Sequence, residues 1–84
     1  VMKIQLRYFA SLRETIGVGS EAMETTAADV SSLRQALIAR GGVHAQCLAM
    51  GLPVRVAVNQ TMANDATPLT VDCEVAFFPP VTGG

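Results

Sequence analysis

The chain has 84 residues, half of them hydrophobic and 15% charged, with 6 Lys+Arg against 7 Asp+Glu for a net charge of −1. That suffices for one small domain with a modest core, and it argues against a second domain, a disordered chain or the clustered basic surplus of a nucleic-acid binder. No apolar run, Val75-Ala76-Phe77-Phe78 included, approaches the roughly 20 residues of a membrane span.

Val1 precedes Met2 and is set aside as an alternative start or a residue left by cloning. Met2 to Tyr8 alternates, with Met2, Ile4, Leu6 and Tyr8 on one side and Lys3, Gln5 and Arg7 on the other, which predicts a half-buried strand. Phe9 then falls on the polar side. Ala10 to Gly17 suits a short helical turn closed by glycine, and Glu21 to Thr25 a weaker strand pairing with the first. Asp29 is a good N-cap. Val30, Leu33, Leu37 and Ile38 follow at helical spacing, with Ser31, Arg34 and Gln35 expected on the wet side and Gly41-Gly42 as the stop. Val43 to Gly51 is ambiguous, with a second short helix around Cys47 and Leu48 as one reading. Val54 to Val58 is β-branched and alternating, a strand. Asn59-Gln60 turns into a short segment, Thr61 to Ala63. Asn64-Asp65 and Pro68 mark further turns. Glu74 to Phe78 is the last strand, ended by Pro79-Pro80, which have no N–H for a ladder.

A helix of about three turns across one face of a mixed sheet satisfies both apolar surfaces. The expected fold class is α+β, a β-grasp (ubiquitin-like) domain over residues 1–78 with the first and last strands parallel neighbours. Residues 79–84 form an extended tail.

Autonomous catalysis has little support. The one histidine, His44, and the two cysteines, Cys47 and Cys73, form no CxxC pair and cannot assemble a metal site of the usual kind. Both thiols are expected to be structural. The tail Pro79-Pro80-Val81-Thr82-Gly83-Gly84 stands apart. Paired prolines favour the extended polyproline conformation, and six extended residues reach roughly 20 Å. The result is a stiff stalk with a tip free of side chains, able to enter a narrow tunnel and to present the Gly84 carboxylate. Activation of such a carboxylate as an acyl-adenylate makes it electrophilic, and a sulfur donor then converts it to a thiocarboxylate. A Gly-Gly tip is shared by sulfur carriers and ubiquitin-type modifiers.

Several segments together are specific: Tyr8-Phe9-Ala10 with Leu12-Arg13-Glu14, Leu33-Arg34-Gln35, Val58-Asn59-Gln60-Thr61, Asp65 with Pro68-Leu69, and Glu74 to Gly84 as EVAFFPPVTGG. In these the chain resembles the small, sulfur-carrying subunits of molybdopterin synthase, the MoaD family, over essentially its whole length. It departs from them at Val71-Asp72-Cys73, where the family often has an acidic-Gly-acidic turn. The resemblance implies a carrier cycle. An E1-like adenylating enzyme spends ATP on Gly84, with Gly83 giving access, and a sulfurtransferase supplies sulfur. The loaded carrier then joins a large synthase subunit, two small with two large, and delivers sulfur to cyclic pyranopterin monophosphate. No cofactor is bound permanently, and the acid-base residues of the transfer belong to the large subunit. It also implies that Pro79, Pro80, Val81 and Thr82 bind partners.

Period-2 logic adds a docking face. With Val75 and Phe77 in the core, Phe78 points outward beside Phe9, and the resemblance adds Met62. Together these form a candidate partner patch. Arg13, in a family-like position near the tail, is a candidate for a salt bridge to a partner. Other readings are a carrier for a different pathway such as thiazole formation in thiamine synthesis, a protein modifier, and a binding module with an inert tail. With no basic-apolar-small order at the N-terminus, the expected location is cytoplasmic, with no membrane or nucleic-acid partner.

Overall fold

The computed structural model describes residues 2–49 and 52–79. Eight elements follow in order: β1 Met2–Tyr8, α1 Ala10–Ile16, β2 Ser20–Thr25, α2 Val30–Ala39, α3 Gly42–Leu48, β3 Arg55–Val58, β4 Thr61–Ala63 and β5 Glu74–Phe78. The strands form one sheet in the order β2-β1-β5-β3-β4. β1 and β5 are parallel, with Leu6 opposite Val75 and Tyr8 opposite Phe77, and the other pairs are antiparallel. This is the β-grasp arrangement, with the last strand in the centre and all five strands where the alternation put them.

Alternation decides the two faces of the sheet. Ile4, Leu6, Tyr8, Val56, Val75 and Phe77 turn inward and join Leu12, Val30, Leu33, Leu37 and Leu48 of the helices in one buried cluster. Each large apolar side chain so enclosed contributes about 1.5–3 kcal/mol against exposure, which fixes the strand register, because a one-residue slip would turn every one of them to water.

α2 starts where Asp29, in extended backbone, accepts a 2.8 Å hydrogen bond at Oδ1 from the Ser32 N–H. That bond holds the Asp29 carboxyl below its usual range. Among the described residues the main helix α2 is joined by two short ones. α1 closes on Gly17 in the left-handed region, as the glycine implied, and the ambiguous stretch after Gly41 is the helix α3. One expectation is overturned. Arg34 does not face water; it is 7% exposed and lies on the same stripe as Val30, Leu33 and Leu37. Its Nε donates to the Leu48 carbonyl at 2.6 Å, and its Nη2 donates to those of Ala49 at 2.7 Å and Leu52 at 3.3 Å.

Two turns explain polar residues. Asn59 and Gln60 both have positive φ, 51° and 68°, the twist a tight hairpin needs and one that Asn tolerates. The Asn59 side chain also accepts from the Glu74 N–H at 3.0 Å, while its own N–H donates to the Glu74 carbonyl at 2.8 Å. The β3–β4 hairpin is thereby tied to the start of β5. In the departing turn, Asp72 takes φ 60° and its N–H donates to the Lys3 carbonyl at 2.8 Å.

Candidate functional site

The sheet face turned away from the helices carries an apolar floor. Across the strands, Arg7 lies opposite Ala76, Ala76 opposite Ala57, and Ala57 opposite Met62. One step toward the end of β5, Phe78 lies opposite Arg55, and the Phe9 N–H extends the β1–β5 ladder by donating to the Phe77 carbonyl at 3.1 Å. Ala57 and Ala76 are small and shielded. Phe9 is 42% and Met62 60% exposed, and Phe78 is half-buried between them and the root of the tail. The structure therefore brings Phe9, Phe78 and Met62 onto one open face.

Cations rim this floor. The Arg7 guanidinium sits 5.6 Å over the Phe9 ring and 3.7 Å from a Glu74 carboxylate oxygen. Both contacts are at the surface, where each is worth well under about 1 kcal/mol. Arg55 is exposed on the other side of Phe78. Arg13 is exposed on α1, at the end of the sheet where Pro79 leaves, and packs beside Gly19 rather than joining the patch. Pro79 follows β5 half-buried, while Pro80, Val81, Thr82, Gly83 and Gly84 lie outside the described residues.

The helix side holds a second polar group of residues that the alternation gave no hint of. Arg40 Nη1 is 2.6 Å from Glu21 Oε1, and His44 Nε2 is 3.8 Å from Glu21 Oε2. The His44 ring meets Tyr8 edge-on at 6.2 Å. Among the described residues the buried Tyr8 hydroxyl has no hydrogen-bond partner; burial first, and then the charge of Glu21, push its pKa far up. These contacts dock α3 onto β1 and β2.

The thiols offer no nucleophile. Cys73 is buried, and Cys47 donates to the Val43 carbonyl at 2.9 Å while burial raises its pKa, which disfavours the reactive thiolate. Among the described residues no three His, Cys, Asp or Glu side chains could hold a metal ion, and no helix is long and apolar enough to cross a membrane. The Arg34 clamp was legible after all. Position 34 is four residues after Val30 and three before Leu37, on the buried stripe, and the charge of the residue outweighed its place in the period.

The chain is similar to several known proteins. The profile of the ThiS family matches residues 6–84. The molybdopterin synthase sulfur carrier subunit of Escherichia coli K12 is 41% identical over 81 residues, 96% of this chain and 99% of that protein. A putative molybdopterin converting factor, subunit 1, from Pyrococcus furiosus superposes with a TM-score of 0.80 at 27% identity, covering 96% of this chain and 100% of that one. A chain in the complex of subunits 1 and 2 of the molybdopterin-converting factor from Helicobacter pylori superposes with a TM-score of 0.68 at 25% identity, covering 99% and 100%.

Proposed function

The chain belongs to the ThiS family, and from that premise we propose that it is the sulfur carrier subunit of a molybdopterin synthase. The observation that carries this reading is the continuity of the open apolar face with the root of the Gly-Gly tail. Phe9 and Phe78 lie side by side where β5 ends and Pro79 begins. A carrier needs both parts: a face that a partner can grip, and a slender arm that the partner can swallow.

The chemistry follows from the tip. In the adenylating partner, the Gly84 carboxylate attacks the α-phosphorus of ATP, forming a glycyl-adenylate and releasing pyrophosphate. Sulfur at the sulfide level then adds to the acyl carbon, AMP departs with the electron pair of the broken C–O bond, and a thiocarboxylate is left. Bound to a large synthase subunit in a heterotetramer of two small and two large chains, the tail delivers that sulfur to cyclic pyranopterin monophosphate, and two such deliveries complete the dithiolene. The domain described here grips and aims; proton transfers belong to the partner. Gly83 and Gly84 suit this because neither presents a Cβ to a narrow tunnel.

The intact mass of the protein isolated from cells that make molybdenum cofactor tests the reading. A species heavier by one oxygen-to-sulfur exchange, localised to Gly84 by fragmentation and discharged by the large subunit with the pterin precursor, is the expected result. Only unmodified protein, after incubation with an adenylating enzyme, ATP and a sulfur source, would refute it. Adducts on lysines instead would identify a protein modifier.

A further inference from the structure

We propose that Arg55 selects the partner: the protein surface that covers the open face carries a carboxylate side chain that pairs with this guanidinium. The proposal rests on the carrier reading and narrows the partner to one with an acidic group at a defined place.

The register lays the face out in rows. Phe9, Phe78 and Arg55 follow one another from the end of β1 across β5 to β3. The next row runs Arg7, Ala76, Ala57 and Met62. Alternation sends Arg55 to this face, since Val56 beside it in β3 belongs to the core and Ala57 returns to the floor. Arg55 therefore stands directly across from Phe78 and two residues from Ala57, the residue opposite Met62. A partner broad enough to cover Phe78 and Met62 together lies over Arg55 as well.

The other charges on this face have opposites at hand. Lys3 and Glu24, both exposed, lie across from one another in the β1–β2 ladder. Arg7 is 3.7 Å from a Glu74 carboxylate oxygen. Arg55 is exposed, and among the described residues it has no ion pair. The two arginines of the face thus differ: one brings its own counter-charge and the other does not.

In the free domain water solvates the Arg55 guanidinium. Under a partner it loses that water, and a cation covered without a counter-charge is strongly penalised. A carboxylate answers it with two parallel N–H···O bonds, which the planar guanidinium is shaped to give. An apolar residue at position 55 would have extended the floor from Phe78 with no such requirement. Arginine instead disfavours any partner that fails to supply the acceptor. The same charge also speeds encounter with an acidic surface.

The test measures Kd for the large synthase subunit by isothermal titration calorimetry at two salt concentrations. It compares the full-length wild type with Arg55→Gln, Arg55→Glu, Arg55→Lys and Lys3→Gln. Lys3→Gln changes the net charge as much as Arg55→Gln does, on the same face but away from Phe78, and so controls for charge alone. Arg55→Gln should weaken binding about ten- to hundredfold and flatten its salt dependence. Arg55→Glu should weaken it further by repulsion, Arg55→Lys should recover part of the loss, and Lys3→Gln should stay within about twofold. Because Arg55 is exposed, the melting temperatures should move by less than about 2 °C. An Arg55→Gln protein with a Kd within twofold of the wild type overturns the proposal, as does a loss that Lys3→Gln matches. Equal losses for Arg55→Gln and Arg55→Glu, with salt dependence unchanged, overturn it too, because they identify an uncharged acceptor. A wild type that does not bind overturns the carrier reading and this role with it. A wild type whose binding weakens with Met62→Gln and not with Arg55→Gln overturns the role alone.

Discussion

Replacing Met62 by Gln separates docking from folding most cleanly. Met62 sits on the short edge strand β4 with 60% of its surface accessible, so its side chain does little for the free domain. Gln keeps the length and removes the apolar character. A partner that covers the open face would bury on the order of 100 Å² of this side chain, worth at most about 2.5 kcal/mol at 25 cal/mol per Å². Association recovers only part of such area as affinity, so the realised loss should be about 1–2 kcal/mol, or roughly five- to thirtyfold in Kd. Isothermal titration calorimetry of the carrier with the large subunit at fixed ionic strength measures it, alongside a melt that should move by less than about 2 °C. A Kd within twofold of the wild type would refute the assignment of this face to the partner. A collapsed melt would instead show that Met62 belongs to the core, against its exposure.

Three further outcomes follow from the geometry. Asp72 occupies the left-handed region at φ 60°, so Asp72→Gly should relieve about 1 kcal/mol of strain, offset in part by the freer unfolded chain, for a small net gain in urea midpoint; a lower midpoint would refute the strain argument. The Asp29 carboxyl is depressed below its ordinary value of 3.8 by the Ser32 N–H. Its share of stability is therefore fully present above that value and lost as pH falls through the depressed one. Asp29→Ala should lower stability at neutral pH and flatten the acid limb of the stability–pH curve; an unchanged acid limb would contradict the cap. Cys47→Ser should load sulfur normally, since its thiol is held protonated and bonded to Val43. Cys73→Ser, at a buried position, should cost about 1–3 kcal/mol and still load; loss of loading in folded protein would restore a thiol relay.

Much of the fold was legible because the strands obey a period of two with few exceptions. β1 is bounded by the alternation itself, and the odd residue out, Phe9, marked the open face. The Asp29 cap and the Gly17 stop were likewise local chemistry that tertiary packing had no reason to override. α3 was less clear, since it has seven residues and only Leu48 of them is buried, so no apolar stripe announces it. The Tyr8, Glu21, Arg40 and His44 contacts join residues from three elements, and no spacing along a chain encodes them. Arg34 shows a different limit. Its position was buried by period and its type exposed by charge; the structure resolves the conflict with three carbonyls. Pro80 to Gly84 lie outside the described residues, and the roles expected of them rest on the tail's own chemistry and on the family.

The central place of β5 has a consequence for synthesis as well as for use. Before Glu74–Phe78 exists, β1 and β2 can form one ribbon and β3 and β4 another, with no ladder between them. The closing contacts, such as Gln5 with Glu74, span nearly the whole sequence, the kind of long-range pairing that forms late and slowly. A chain stopped at Cys73 should accordingly show no cooperative melt. The strand that completes the sheet is also the strand that projects the arm. A partner that grips the open face would therefore find it only once the sheet is complete.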